Sequence, residues 1–201
     1  NSVFLVKSEW TFVKNTKYYS ISFPKQISSF DTDIPINTIH ICIVNNLMES
    51  VKKRVIDTCE RPIACLLSGG LDSSLIAALV NKFYKGKNKL ETYSIGMEGS
   101  EDLKNAKIVA EYLNTKHNEI ILTPDEFFNS IPEVIEKIES YDTTTVRASV
   151  GNYLVGKYIS ENSEAKVIFN GDGADELMGG YLYFHACRDP IEFDKECRRL
   201  L

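Results

Sequence analysis

Three short stretches gather residues that can do chemistry. The first is "LSGGLDSS", residues 67–74. Ser68, Ser73 and Ser74 offer hydroxyl donors, and Gly69 and Gly70 let backbone N–H groups come close to a ligand. Leu67 closes an apolar run just before them. Backbone amides at the start of a helix bind phosphate. The carboxylate of Asp72 would repel bare phosphate, but it has a use if Mg²⁺ stands between the two, because carboxylates and phosphates share that hard cation. The second stretch is "YDTTTVRAS" (141–149). Thr143 and Thr144 can hold an anionic group near a helix start, and Arg147 can grip a carboxylate or phosphate through two hydrogen bonds. The third is "NGDGADELMGGYLYFH" (170–185), where Asp172, Asp175 and Glu176 put three acids within five positions of a glycine-rich turn. Acids clustered at a phosphate site suggest metal binding and proton handling.

Taken singly, each stretch has a plainer reading. "GG" is a common turn, and serine, threonine or aspartate before a helix is a common cap. A cluster of acids is often a solvated turn. The full Ser-Gly-Gly-x-Asp-Ser string between an apolar run and a helical pattern is more than a cap needs. It is neither a G-x-x-x-x-G-K-[ST] loop nor a G-x-G-x-x-G fingerprint; the chain contains neither.

The surrounding pattern says how these residues would be held. "IACLL" (63–67) reads as a buried strand, and "LETYSIG" (90–96), "HNEIIL" (117–122) and "KVIFN" (166–170) read as strands. Helical spacing fills the intervals, over 73–84, 102–113, 124–141 and 146–161. Strands separated by helices of this length imply parallel crossovers, hence an α/β fold: a parallel sheet with helices on both faces. Ligands bind such sheets at the carboxyl ends of the strands, where the first and third stretches fall. The strand end at Ile95 and Gly96 lies one crossover from the phosphate loop, and the Ile95 backbone there could read an adenine edge. Upstream, Ile36, Ile39, Ile43, Leu47, Val51 and Val55 recur at helical spacing, with Asn37 as an early cap. Residues 1–35 differ in texture. "VFLV", "TFVK" and "KYYSISF" are short β-rich runs ending at Pro24 and Pro35, read as a β-rich remnant and linker ahead of a domain over 36–201.

The bulk numbers exclude some classes. The chain has 201 residues, 43% apolar and 25% charged, enough to bury a core. A net charge of −5 gives no reason to expect a nucleic-acid or membrane-surface partner. No apolar run is long enough for a membrane helix, and the start lacks the form of a signal peptide. Five cysteines, an odd number without metal-ligand spacing, read as free thiols in a reducing compartment, so the expectation is cytoplasmic.

"LSGGLDSS" resembles the pyrophosphate loop of the N-type ATP pyrophosphatases, which adenylate a carbonyl or carboxyl oxygen on an adenine nucleotide alpha-hydrolase-like fold. "YSIGMEGSEDLKNA" (93–106), "YDTTTVRAS" and "NGDGADELMGGYLYFH" resemble asparagine synthetase of the glutamine-hydrolysing type. The resemblance covers roughly residues 55–201. It implies ATP and Mg²⁺ as cofactors, with Leu67, Ser68, Gly69, Gly70, Asp72, Ser73, Ile95, Gly96, Asn170 and Gly171 around ATP. It implies Thr143, Thr144, Arg147 and Asp175 around the substrate, Asp72 and Asp175 on the metal, and Asp172 with Arg147 in catalysis. The implied partners are ATP, aspartate, and ammonia or glutamine, with no nucleic acid or membrane and room for a homodimer. Residues 1–35 would then be the tail of a glutaminase domain, and the family continues past residue 201 to a lysine serving adenylation, so the chain is expected to be part of a longer protein. Two positions depart from the family string. Asn170 stands where the family has serine, and Asp172 where it has glutamate, one methylene longer. The alternatives are a β-lactam synthetase-like or other amidotransferase acting on a different carboxylate, and a degenerate nucleotide-binding module.

Overall fold

Two of the early β-rich runs pair with each other. β1 (Ser2–Val6) and β2 (Glu9–Lys14) form an antiparallel ribbon with Phe4 opposite Thr11 and a register shift between Ser2 and Val3. The structure, a computed structural model, describes residues 34–200 and the backbone of residues 2–6 and 9–14. "KYYSISF", Pro24 and the linker expected there lie outside the described residues. The chain divides into two compact units, one of residues 33–174, the other joining residues 1–32 with 175–201.

The first unit begins with α1 (Ile36–Asp57). Its amino terminus is set by Pro35, whose fixed φ suits a helix start; Asn37 lies inside the first turn and caps nothing. Val51 and Val55 are buried and Leu47 packs beside them. Ile36, Ile39 and Ile43, on the same stripe, stay exposed, so only the carboxyl half of the helix meets the core. The apolar run before the serine–glycine loop is β3 (Ile63–Leu66), with Ile63, Ala64 and Cys65 buried. A strand covered on both faces has no solvent side, which is why its letters run apolar without alternation. It is followed by α2 (Leu71–Phe83), β4 (Glu91–Gly96), α3 (Glu101–Leu113) and β5 (Lys116–Ile121). The sheet closes with β6 (Val167–Phe169) in the order β5-β4-β3-β6, every pair parallel. Cys65 pairs with Thr92 on one side and Phe169 on the other.

Both faces are covered, as the alternation implies. On one, Ile63, Cys65 and Leu67 pack with Val51 and Val55 of α1, Ala77 and Val80 of α2, and Ala106 and Ala110 of α3. On the other, Ala64, Tyr93 and Ile120 meet Val155 and Ile159 from a long helix that precedes β6. The stretch 124–141 is not one helix. It breaks into α4 (Pro124–Asn129) and α5 (Ile131–Ile138). Pro132 has no N–H to carry the ladder on to the Phe128 carbonyl, while the Ser130 hydroxyl donates back to the Phe127 carbonyl at 2.7 Å. α4 starts on a capping box: the Glu126 amide donates to Thr123 Oγ1 at 3.2 Å, and the Thr123 amide to Glu126 Oε2 at 2.7 Å. The long helix is α6 (Thr143–Asn162).

α7 (Ala174–Met178) leads into the second unit, followed by a 3₁₀ turn at Leu182–Ala186 and α8 (Pro190–Leu200). There the rings of Tyr181, Tyr183, Phe184 and Phe193 form a chain with centroids 5.7, 4.9 and 4.9 Å apart. Among the described residues, no helix is long and apolar enough to cross a membrane. All five cysteines are free.

Candidate functional site

The serine–glycine loop leaves the carboxyl end of β3 and enters α2. The Leu67 amide makes the last ladder bond, to the Tyr93 carbonyl at 2.8 Å. The chain then closes on itself through hydroxyls. Ser73 Oγ accepts from the Ser68 amide at 3.2 Å and lies 2.9 Å from Ser68 Oγ, which accepts from the Gly70 amide at 3.3 Å. Gly70 is the N-cap of α2 in extended geometry, and no side chain caps the helix. The first-turn N–H groups of a 13-residue helix therefore point out of the loop without a protein acceptor from a cap. Asp72 sits in that turn, exposed, and Ser74 Oγ is buried without a hydrogen-bond partner among the described residues.

Two glycines fix the loop's shape. Gly69 has φ +81°, and a Cβ there would lie 2.5 Å from the carbonyl carbon and Cβ of Asn105 and closer still to the Ala106 nitrogen. The loop thus rests on the first turns of α3, which gives the "DLKNA" string a physical purpose that spacing does not reveal. Gly171 does the same from the other side. A Cβ at Gly171 would fall 2.8 Å from the Ser73 nitrogen and 3.0 Å from the Asp72 carbonyl carbon. Side chains at either place would push on the serine–glycine loop.

Ile95 and Gly96 end β4 beside this loop. The Tyr93 carbonyl faces β3, and the Gly96 carbonyl faces β5, accepting from the Leu122 amide at 3.0 Å. Alternation turns the Ile95 backbone groups toward β3, which has already ended at Leu66. Among the described residues these groups make no bond to β3, which leaves an open edge of one N–H and one C=O next to the serine–glycine loop. Asn170 and Gly171 follow β6 on the opposite flank of β3, so the ends of β4, β3 and β6 place these residues along one carboxyl edge.

α6 reaches the same edge from behind. Its carboxyl end is tied to the amino edge, where the Ser163 hydroxyl donates to Glu91 Oε2 at 2.6 Å. Burial opposes ionisation of Glu91, but hydrogen bonds from Lys116, Ser163 and Tyr93 hold its carboxyl below the usual range. Twenty helical residues span about 30 Å, against about 20 Å for the six-residue β4, so the first turns of α6 overhang the carboxyl edge. Thr143, Thr144 and Arg147 lie on that overhang, all exposed. Asp142 is the N-cap, accepting at 2.8 Å from both the amide and the hydroxyl of Thr145. Those bonds, the amide first, hold the Asp142 carboxyl below its usual range. The cap engages Thr145 and leaves the hydroxyls of Thr143 and Thr144 for other work.

The Asn170 side-chain amide donates to Asp172 Oδ2 at 2.7 Å. Asp175 falls in the second unit, half-buried, its carbonyl accepting from the Gly180 amide at 3.0 Å. Beside it, Tyr181 donates to Glu176; that bond holds the glutamate low and pushes the phenol up to about 12. His185 is exposed. Among the described residues, no cluster of three or more His, Cys, Asp or Glu forms a metal cage. Asp72, a hard oxygen donor without a partner among the described residues and at an uncapped helix start, suits a Mg²⁺ shared with phosphate better than a metal held by protein alone.

Comparison with known proteins places these features in company. The profile of the asparagine synthase family matches residues 43–193. The glutamine-hydrolyzing asparagine synthetase of Mus musculus is 44% identical over 183 residues, covering 90% of this chain and 32% of its own length. That of Homo sapiens is 44% identical over 180 residues, covering 88% and 31%. That of Cricetulus griseus is 48% identical over 155 residues, covering 76% and 27%. The chain spans about a third of the length of these relatives. Among solved structures, an NMN synthetase from Francisella tularensis aligns with a TM-score of 0.47 at 18% identity, covering 68% of this chain and 58% of its own.

Proposed function

The chain belongs to the asparagine synthase family, and on that premise we propose that it carries the ATP-dependent, amide-forming part of asparagine synthesis. The aspartate side-chain carboxylate attacks the α-phosphorus of ATP, and pyrophosphate leaves. Ammonia then attacks the carbonyl of β-aspartyl-AMP; AMP departs, and asparagine is formed.

One observation carries the reading: an uncapped helix start, reached through a serine–glycine loop that two neighbouring segments press into shape. Ser68, Gly69, Gly70 and Ser73 present that helix start to the leaving pyrophosphate, with Leu67 anchoring the loop to β4. The open edge at Ile95, followed by Gly96, reads the adenine. Asn170 and Gly171 line the nucleotide. Arg147 on the α6 overhang steadies an anionic oxygen, and Thr143 and Thr144 offer hydroxyls to the amino acid. Asp72, and by resemblance Asp175, would hold Mg²⁺, which supplies charge neutralisation for the phosphates. Asp172 stands at the proton-handling position. Catalysis here is chiefly positioning and electrostatic stabilisation of the departing phosphates.

The same reading takes ammonia from glutamine, with residues 1–35 as the tail of a glutaminase domain. It places the protein in the cytoplasm, without nucleic-acid or membrane partners and with room for a homodimer. Free cysteines and a net charge of −5 support that part. Asp72→Asn tests the metal assignment: pyrophosphate release should be lost while the fold persists, and full activity in that variant would refute it.

A further inference from the structure

Polar side chains lie between α3 and the strands β4 and β5, in a place where a core is ordinarily apolar. Thr92 and Ser94, two apart on β4, share one face of the sheet, and both are buried. His117, paired with Thr92 across β5, is half-buried beside them. A hydrogen-bonded chain runs through all three. Thr115 Oγ1 donates to the Ala110 carbonyl of α3 at 3.4 Å and lies 2.9 Å from Thr92 Oγ1. Thr92 Oγ1 lies 3.0 Å from His117 Nδ1, and His117 Nε2 lies 3.1 Å from Ser94 Oγ. The carbonyl end assigns each proton. A carbonyl only accepts, so the Thr115 hydroxyl gives its proton to Ala110. Thr92 then donates to Thr115, Nδ1–H donates to Thr92, and bare Nε2 accepts from Ser94. Ser94 Oγ makes no other hydrogen bond among the described residues. A proton added at Nε2 would therefore leave the buried Ser94 hydroxyl without an acceptor.

The two ends of this chain reach the two ends of the proposed nucleotide site. Ser94 precedes Ile95 and Gly96, the open strand end. Ala110 lies one turn after Ala106, whose nitrogen is the atom nearest a Cβ placed at Gly69. Resting on the function proposed above, we infer that His117 is a positioning residue for ATP: its neutral form ties the strand end that meets the base to the helix that shapes the serine–glycine loop, and protonation loosens both. Lys107 and Glu111 of α3, Glu119 of β5 and Lys89 ahead of β4 line a cavity of about 550 Å³ with the ring. Burial lowers the His117 pKa from the ordinary 6.5; Lys107 acts in the same sense, and Glu119 and the Thr92 backbone oppose it. The neutral form prevails at neutral pH and is lost on acidification, so ATP affinity is complete above the folded pKa and falls below it.

The test is calorimetric titration of the native polypeptide with ATP at saturating Mg²⁺, from about pH 8 to about pH 5, with thermal unfolding at each pH. Wild type is compared with His117→Gln, Ser94→Ala and, as a control, His40→Gln, which is exposed on α1. ATP itself titrates in this range, so the readout is affinity relative to wild type at the same pH. Glutamine keeps an acceptor for Ser94 and does not titrate. One pH unit below the folded pKa about a tenth of the rings stay neutral, so wild type should lose about tenfold more affinity than His117→Gln. His40→Gln should follow wild type. Ser94→Ala removes the hydroxyl that favours the neutral ring, so its fall should begin about 0.7 pH unit higher. A parallel fall in wild type and His117→Gln, or a Ser94→Ala midpoint that stays in place or moves down, would overturn the inference alone. No ATP binding by wild type at about pH 8 would overturn the function it rests on, and the inference with it.

Discussion

Gly171→Ala isolates the geometry of the serine–glycine loop proposed to cradle phosphate. No positive φ is involved at this position, so the added methyl acts only through space. It would meet the Ser73 nitrogen at 2.8 Å, the Asp72 carbonyl carbon at 3.0 Å and Asp72 Cβ at 3.1 Å. One side must move. β6 is laddered to β3 through Ile63, Ala64 and Cys65, whereas the loop is closed by hydroxyl contacts of 2.9–3.4 Å. The loop and the first turn of α2 are therefore the side that yields. Overpacking of this kind costs about 1–3 kcal/mol. Spent on displacing the anion-binding amides, it weakens ATP by about 5- to 150-fold. The assay is calorimetric titration of ATP with Mg²⁺, run beside thermal unfolding. ATP affinity should fall in that range while the melting temperature drops by no more than about 3 °C. Gly156→Ala is the control. Nothing lies within 4 Å of its added Cβ, and alanine in a helix interior gains about 0.8–1 kcal/mol over glycine. It should raise the melting temperature by about 2–4 °C and leave ATP binding alone. If Gly171→Ala binds ATP within about twofold of wild type, the loop is not the phosphate cradle described above.

Other expectations are independent of that loop. Burial pushes the Cys65 thiol up to about 12, so a thiol-reactive probe at about pH 8 should label Cys42 and Cys59 in the folded protein and Cys65 only in denaturant. Labelling of Cys65 at the exposed-thiol rate would contradict its place in the sheet. His117 is half-buried between Thr92 Oγ1 at 3.0 Å and Ser94 Oγ at 3.1 Å, with Glu119 and Lys107 nearby. Burial pushes its pKa below the ordinary 6.5 despite Glu119. The unfolded imidazole then takes up a proton before the folded one, so stability is complete above that pH and declines below it. Urea midpoints should fall between about pH 7.5 and about pH 5.5, and His117→Gln should flatten the decline.

Much of this fold is legible in the residue order. Apolar runs separated by helical spacing specify a parallel sheet covered twice, and that is the structure found. Where the pattern fell short, a local cause is visible. Periodicity identifies a helix face but not its partner, so Ile36, Ile39 and Ile43 continue the stripe of α1 without reaching the core. Pro132 interrupts a stretch that reads as one helix, whose start at Pro124 is where the letters place it. Around the site, spacing picks out the loop and the glycines but not what they touch. Contact between Gly69 and the start of α3 joins residues more than thirty apart, and no spacing rule encodes it. The Asn170–Asp172 bond is local, but it follows from side-chain direction, which the letters alone do not give. Asp142 has one visible task, capping α6, and that cap engages Thr145 rather than Thr143 or Thr144.

The measurement that bears most directly on the account is pyrophosphate release by the native polypeptide supplied with ATP, Mg²⁺ and ammonium, with and without aspartate. Release that depends on aspartate, with asparagine formed in equal amount, is the predicted result. Release that ignores aspartate and follows another carboxylate, or no release although ATP is bound, would contradict it.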